Sequence, residues 1–502
     1  MNANKKIAQN TAFLYLRMLF SMSISLFTSR IILQTLGETD FGIYNIVGGI
    51  VILFSFLNST LSTATQRFLS YELGKGNIQI VHEIFSISMS SYFIISLIIL
   101  VLCETIGLYF LNTYMNIPIE RIEAANWVYQ FSILAFICNI LRVPYSASII
   151  AYEKMNFYAY SSIIEVTLKL IIVYMLYFSK FDKLIIYSML MFLTVLLITL
   201  LYKSYSNKKI QTTRYYPIWK KDLVYNILKF SGWSALGSFS ILTVQQGLNI
   251  LLNIFWGVSV NAAVGIANQV SSAVYQFVSN FQLAFNPQII KSYSAGETER
   301  FQNLIFCSSK ISFFLLSLIA FPIIINIDFI LQIWLGNTPH YTSEFIIVIL
   351  LYMCIDAIAS PLWLSTQAHG DIKKYQITIS SILFLNLPLA YIAIKLGFSP
   401  IIVWCSRLLI NAISFFYRCY YSKKYIKLNI KLFFANVIMK IILVSIIAFP
   451  IIFIIKSYFT DWKAIIISSI TSCIILGITI YYIGLSKQER IYTNTLIKSK
   501  IK

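Results

Sequence analysis

The chain has 502 residues, of which 58% are hydrophobic and only 12% charged, with a mean hydropathy of +0.76 and a formal net charge of +20. No water-soluble globular or disordered chain of this length carries that balance, so the sequence is that of an integral membrane protein. A bilayer core of ~30 Å takes ~20 apolar residues per helix, and spans with short connections use up nearly the whole chain.

Apolar runs bounded by charges, Gly/Pro or Asn/Thr clusters predict helices over 10–33, 41–63, 84–111, 124–143, 158–178, 184–202, 230–254, 261–285, 309–335, 344–366, 376–394, 400–418, 437–455 and 463–485. Fourteen spans put both termini on one side. The runs are continuous instead of alternating, which excludes a membrane β-barrel. Lys5 and Lys6 precede the first run, but Arg17 interrupts it and no small-residue cleavage site follows, so a retained first span is expected. The seven cysteines form no CxxC, and His82, His340 and His369 are scattered; neither a disulfide framework nor a metal site is indicated.

Lys and Arg distribute as the positive-inside rule requires. With the N-terminus cytoplasmic, the inside segments hold 29 of them and the outside segments six; Arg17, Arg30, Lys169 and Arg407 lie within spans. A missed span would scramble that alternation. The basic excess is thereby explained by topology and calls for no nucleic-acid partner.

The predicted organisation is an N-terminal six-helix bundle (1–202), a basic cytoplasmic linker (203–229), a second six-helix bundle (230–418), and a basic loop with two further helices and a basic tail (419–502). The halves echo one another. Gly37, a span, then Tyr71 and Gly74 in "SYELGKGN" match Gly257, a span, then Tyr293 and Gly296 in "SYSAGETE". Both stretches start outside and end inside, which predicts a parallel repeat.

Asn10–Asn77, with its "SRIILQTLGETDFGIYNIVGG", resembles the opening of bacterial polysaccharide-biosynthesis membrane proteins, the Wzx-like O-antigen flippases. "LLNIFWGVSVNAAVGIANQV" and "FNPQIIKSYSAGE" are similar to the seventh and eighth spans of that group. The resemblance covers about 150 residues, and span pattern alone carries the rest. It implies membership of the multidrug/oligosaccharidyl-lipid/polysaccharide (MOP) exporter superfamily: an all-α, MATE-like fold of two bundles around a central cavity. It also implies a bacterial inner-membrane flippase for an undecaprenyl-diphosphate-linked oligosaccharide such as an O-antigen or capsule repeat unit. Its partners would be that lipid-linked saccharide, membrane lipids and other polysaccharide-assembly membrane proteins.

A charge within a span costs at least ~2.5 kcal/mol and faces protein or a watery cavity by default. Arg17 shares a helix face with Ser21 and Thr28, while Arg30 lies about 140° away, so an undistorted helix turns only one of them into a cavity. By analogy with related lipid flippases either could hold a diphosphate, whose oxygens suit a forked guanidinium; the alternative is snorkelling to the interface. Arg407 opens a stripe with Asn411 and Ser414. Glu165 and Lys169, at i and i+4, make either a neutral structural pair or a carboxylate released for H+ or Na+ when cargo phosphate competes for the lysine. Asp356, read as an isolated carboxylate five residues before Pro361, is the other candidate for ion coupling. Gln246, Asn249 and Asn253 share one face of span seven. On span eight, Asn261, Asn268, Ser272, Tyr275, Ser279 and Asn286 fall within about 40° of one line, which suits a polar path for sugar better than inter-helix hydrogen bonds alone. Pro322, Pro361, Pro388 and Pro450 are expected to kink their helices.

No GxxxxGK[ST] sequence is present, and no cofactor is expected beyond a coupling ion. A cation-coupled multidrug antiporter of the same superfamily would want acidic residues where Arg17, Arg30 and Lys169 stand. A membrane glycosyltransferase or polymerase has one support, the Glu38-Thr39-Asp40 acidic pair, which reads otherwise as a turn with Asp40 capping the second helix. The short outside loops leave no room for an acceptor domain, so the chain is read as a transporter and not an enzyme.

Overall fold

The computed structural model describes residues 10–22, ten positions between 24 and 47, and 55–114, 117–179, 181–256, 258–335, 339–457, 462–487 and 489–491. Among them there is no strand. The helices are α1 (10–22), α2 (Ser55–Lys75), α3 (Ile78–Leu102, continued through a π turn to Tyr114), α4 (Ile122–Ala151), α5 (Met155–Phe178), α6 (Lys183–Lys209) and α7 (Lys221–Trp256). They continue with α8 (Val258–Ser294), α9 (Thr298–Leu335), α10 (Thr342–His369), α11 (Lys373–Lys395, jointed at Leu385), α12 (Ile401–Tyr425), α13 (Ile430–Ser457, through a π turn) and α14 (Trp462–Thr479, then a π turn). Each falls on one of the fourteen predicted spans. Eleven of them are long and apolar enough to cross a membrane, so the chain is a multi-pass membrane protein. The other three are α1 and α2, whose predicted spans are only partly described, and α8, which is long but diluted by amides and hydroxyls.

The helices overrun the predicted spans. Pro144 and Arg142 suggested an end near 143, yet α4 continues to Ala151 with Pro144 inside it. Of the four prolines expected to kink, Pro322 precedes a backbone break at Asn326, and Pro388 follows the joint at Leu385. Pro361 and Pro450 sit within continuous helices.

The chain divides into two compact units, residues 1–238 with 286–296, and 239–285 with 297–502. In the first, the Cys103 carbonyl accepts both from Leu108 N, closing the π turn Cys103–Gly107, and from Tyr129 Oη at 2.9 Å, and Gly107 admits that hydroxyl where any Cβ would collide with it. Tyr92, fully buried, donates to Leu61 O at 2.8 Å. The basic segment after α6 packs on α3: Lys220 pairs with Glu83 at 2.6 Å, Tyr216 N donates to Ser86 Oγ at 3.5 Å, and Thr213 is buried. At another edge, Arg121 donates to both oxygens of Asp40, at 2.8 Å to Oδ1, and to Asp182 at 2.5 Å; Asp182 also caps α6. Asp40 is held by this arginine; the helix start it is expected to cap lies only partly among the described residues.

In the second unit, Gln282 donates to Ser312 Oγ at 3.1 Å and to Ala357 O at 3.3 Å and accepts from Ser360, tying α8, α9 and α10. Asn326, beside the break in α9, donates to Ser468 Oγ on α14 at 2.8 Å. Lys310, 4% exposed, pairs with Glu489 at 2.7 Å.

The repeat is visible in the element starts: Ile78 and Thr298, and Ile122 and Thr342, are each 220 residues apart. Gly76 (φ 78°) and Gly296 (φ 75°) end α2 and α8 in the left-handed region, each donating to the carbonyl three residues back at 3.2 Å. Gly76 is therefore the counterpart of Gly296, which corrects the predicted pairing with Gly74 by two residues. The counterpart of Gly74 is Ser294, and the two touch: a Cβ on Gly74 would lie 1.9 Å from Ser294 Oγ and 2.6 Å from Lys291 O. Glu153, in left-handed conformation after α4, accepts from Lys291 Nζ at 2.5 Å and Gln288 at 2.7 Å, fastening the same helix end within the first unit.

Candidate functional site

The first unit gathers charges from α1, α4, α5 and α6. The Arg17 guanidinium lies over the Tyr158 ring at 5.0 Å, and Tyr158 is within electrostatic reach of Tyr202. Arg142 lies 5.5 Å from the Tyr202 ring, donates to Asn139 at 2.8 Å and pairs with Glu165 at 3.5 Å. Lys169 closes the group with a 2.8 Å bond to Glu165, and Ser161 donates to Tyr202 Oη at 3.0 Å. Two cations, Arg142 and Lys169, thus hold one carboxylate, and Arg17 adds a third on the Tyr158 ring, a net excess of two positive charges among tyrosines. In a low-dielectric setting such an excess favours an anion, and guanidiniums over rings gain ~0.5–2 kcal/mol each. The Glu165–Lys169 pair expected from spacing is present, with Arg142 as an unforeseen third member.

The second unit builds a different group on α8, α10, α11 and α12. Arg407 lies 4.6 Å from the Trp404 ring and 4.8 Å from that of Tyr352. Arg418 and Asp356 approach only to 3.7 Å, an ion pair beyond hydrogen-bond length. Asp356 is therefore not the isolated carboxylate the sequence suggested. Tyr275, Tyr352 and Tyr375 all lie within electrostatic reach of this pair. Arg418 Nε, Ser414 Oγ and Trp404 Nε1 are buried with no hydrogen-bond partner among the described residues. Asn411, 4% exposed, donates to Tyr352 O at 3.1 Å and so joins α12 to α10.

Along α8, Ser272 and Tyr275 are exposed and Asn268, Ser279 and Asn286 half-buried, whereas Ala263, Ala267, Val274, Val278 and Phe285 are buried. The polar line is thus the open face of the helix. On α7, Gln246 is exposed, and Asn249 holds a buried Oδ1 without a hydrogen-bond partner among the described residues. Arg30 and the side chains of Asn253 and Asn261 lie outside the described residues.

Sequence reasoning missed Arg142 and Arg418 by counting them as loop cations. Arg418 had a signal: eleven residues after Arg407, it returns to within about 20° of the same helix face. Arg142 follows Asn139 by three residues in an otherwise apolar run, but Pro144 disguised it as a span end. Among the described residues no group of His, Cys, Asp and Glu could hold a metal.

No protein-family model matches the chain. Over 377 residues, 74% of each sequence, it is 22% identical to the uncharacterized membrane protein EpsK of Bacillus subtilis (strain 168). Solved structures match more broadly. A crystal structure of MATE in the bent conformation gives a TM-score of 0.71 at 13% identity, covering 83% of this chain and 97% of that one. An outward-facing multidrug resistance MATE family transporter of the MOP superfamily gives 0.69 at 12%, covering 83% and 96%. A MOP superfamily transporter from Pyrococcus furiosus Vc1, described as having a binding pocket of reverse polarity, gives 0.67 at 12% with the same coverage. The fold is that of the MATE-like transporters of the MOP superfamily.

Proposed function

We propose that the chain is a flippase that carries a diphosphate-linked oligosaccharide, built on undecaprenyl in a bacterial inner membrane, between leaflets by alternating access. The observation that supports this is the excess of Arg17, Arg142 and Lys169 over Glu165 inside the first unit. A lipid diphosphate is an elongated anion whose oxygens accept from forked guanidiniums, and the tyrosines beside them offer faces and hydroxyls to sugars. The Pyrococcus transporter, whose reverse pocket polarity is described as suggesting a different function, gives a precedent within this fold for such a departure. Arg407, Asn268, Ser272 and Tyr275 would accompany the saccharide in the second unit, and Asp356 or Glu165 would take the coupling H+ or Na+.

A cation-coupled multidrug antiporter is the second reading, favoured by the multidrug transporters among the similar structures and by the carboxylates within α5 and α10. Deletion and complementation separate the two. A complete repeat unit accumulating on undecaprenyl diphosphate in the inner leaflet, read by mass spectrometry, is the expected result. Unchanged lipid-linked saccharide with altered drug sensitivity would establish the antiporter, and a truncated saccharide would point to an enzyme.

A further inference from the structure

The joint between α12 and α13 has no part in the proposed transport path, yet it is built as a site. Only Ile426–Asn429 separate two helices long and apolar enough to cross a membrane, Ile401–Tyr425 and Ile430–Ile454, so the joint lies at the membrane surface. It is held in one shape. The Ile426 and Leu428 amides both donate to Ser422 O at 3.2 Å, Lys427 takes a left-handed conformation (φ 59°), and Asn429 Oδ1 accepts from Leu432 N at 3.1 Å. The result is a groove of ≈ 370 Å³ lined by Lys423, Leu428, Asn429, Ile430, Lys431 and Phe434. Its floor is apolar, with Leu428 buried, and Lys423 and Lys431 are exposed on its walls.

Among the described residues these lysines meet no counter-charge. From Ile372 to Thr460 the sequence contains no Asp or Glu. Among the described residues no carboxylate pairs with Lys423, Lys427 or Lys431. Four cations within nine residues (Lys423, Lys424, Lys427 and Lys431), an apolar floor open beside two spans, and a position at the interface together match one ligand: a phosphodiester with acyl chains attached.

We propose that this groove binds the headgroup of an anionic phospholipid, its phosphate between Lys423 and Lys431 with Lys427 close by in the turn, and the start of an acyl chain against Leu428 and Phe434. The assignment is independent of the transported cargo, since it uses none of the residues placed in the transport path.

The test is native mass spectrometry of the full chain from detergent with phosphatidylglycerol or phosphatidylcholine of identical acyl chains. Each lysine near a phosphate contributes roughly fivefold at low salt, so the wild type should retain phosphatidylglycerol at least about tenfold better than phosphatidylcholine. The triple variant K423Q/K427Q/K431Q should lose that preference, and raising the salt should weaken it. A control triple, K208Q/K209Q/K221Q, alters exposed lysines elsewhere and should keep it; the single variant Lys431→Glu, a smaller change, should lower it several-fold. The proposal is overturned if the groove triple keeps the preference or if the control triple loses it equally. It is also overturned if glycerol phosphate without acyl chains displaces phosphatidylglycerol at equal concentration, which would make this a site for free phosphate.

Discussion

The two units hold a carboxylate inside apolar helices in opposite ways. In the first, Glu165 is clamped by Lys169 at 2.8 Å and Arg142 at 3.5 Å, with cations to spare. In the second, Asp356 meets Arg418 at 3.7 Å, its one ion-pair partner among the described residues, and Tyr275 lies close by. A carboxylate whose lone pairs are taken makes a fixed electrostatic background, whereas one held beyond hydrogen-bond length keeps room for a proton or a small cation. Under the proposed transport function, the contrast would give anion holding to the first unit and favour Asp356 over Glu165 for coupling.

Export of surface polysaccharide at equal protein level offers the largest contrast. Arg17→Gln is expected to lower it more than tenfold and Arg407→Gln only a few-fold; the reverse order would break the comparison. A second measurement sharpens it by following transport against external pH in vesicles. Asp356→Asn should flatten the pH dependence, while Glu165→Gln should keep its shape and lower protein yield, because two cations then lose their partner in a partly buried site. Equal pH profiles for both variants would show that coupling is not confined to the second unit.

Packing gives an intermediate effect. Gly74→Leu forces a side chain into Ser294 and the Lys291 backbone and should destabilise the first unit by ~1–3 kcal/mol. Gly296→Ala costs ~1–2 kcal/mol through its left-handed backbone alone. Melting of the purified variants checks both, and an unchanged midpoint for Gly74→Leu would contradict the close approach.

The smallest effect concerns acid. Burial pushes the Asp182 carboxyl up, but the hydrogen bond from Arg121 and the first amides of α6 outweigh it, so it titrates below the usual carboxylate range. Glu489 behaves alike, burial being outweighed by the charge of Lys310. Because both folded values lie below the unfolded ones of roughly 4, their stabilisation is complete above that pH and is lost as pH falls through the folded values. Melting curves between pH 6 and 3 should therefore decline less steeply for Arg121→Gln and Lys310→Met than for the wild type.

Hydropathy and the alternation of Lys and Arg made the fold legible, since every described helix falls on a predicted span. Helix ends were less so, because lipid dictates an apolar length and nothing in that demand stops a helix from running on past it, as α2, α4 and α8 run past their predicted ends. Of the site, the i,i+4 pair of Glu165 and Lys169 could be read from spacing. The partners of Arg142 and Arg418 could not, for they depend on which distant helix packs alongside, although spacing from Arg407 places Arg418 on its face. The repeat was found two residues out of register because glycine identity guided the alignment, whereas the left-handed conformation marks the equivalent position.

The fastening of Glu153 by Gln288 and Lys291 bears on how the chain is made. The first unit is not a contiguous stretch of sequence: its buried glutamate is neutralised by a lysine that leaves the ribosome more than a hundred residues later. During synthesis seven helices are complete while that carboxylate still lacks its lysine, and an uncompensated charge of this kind is costly. Maturation of the first unit therefore waits for the eighth helix, and a nascent chain halted before residue 286 should be a substrate for membrane quality control.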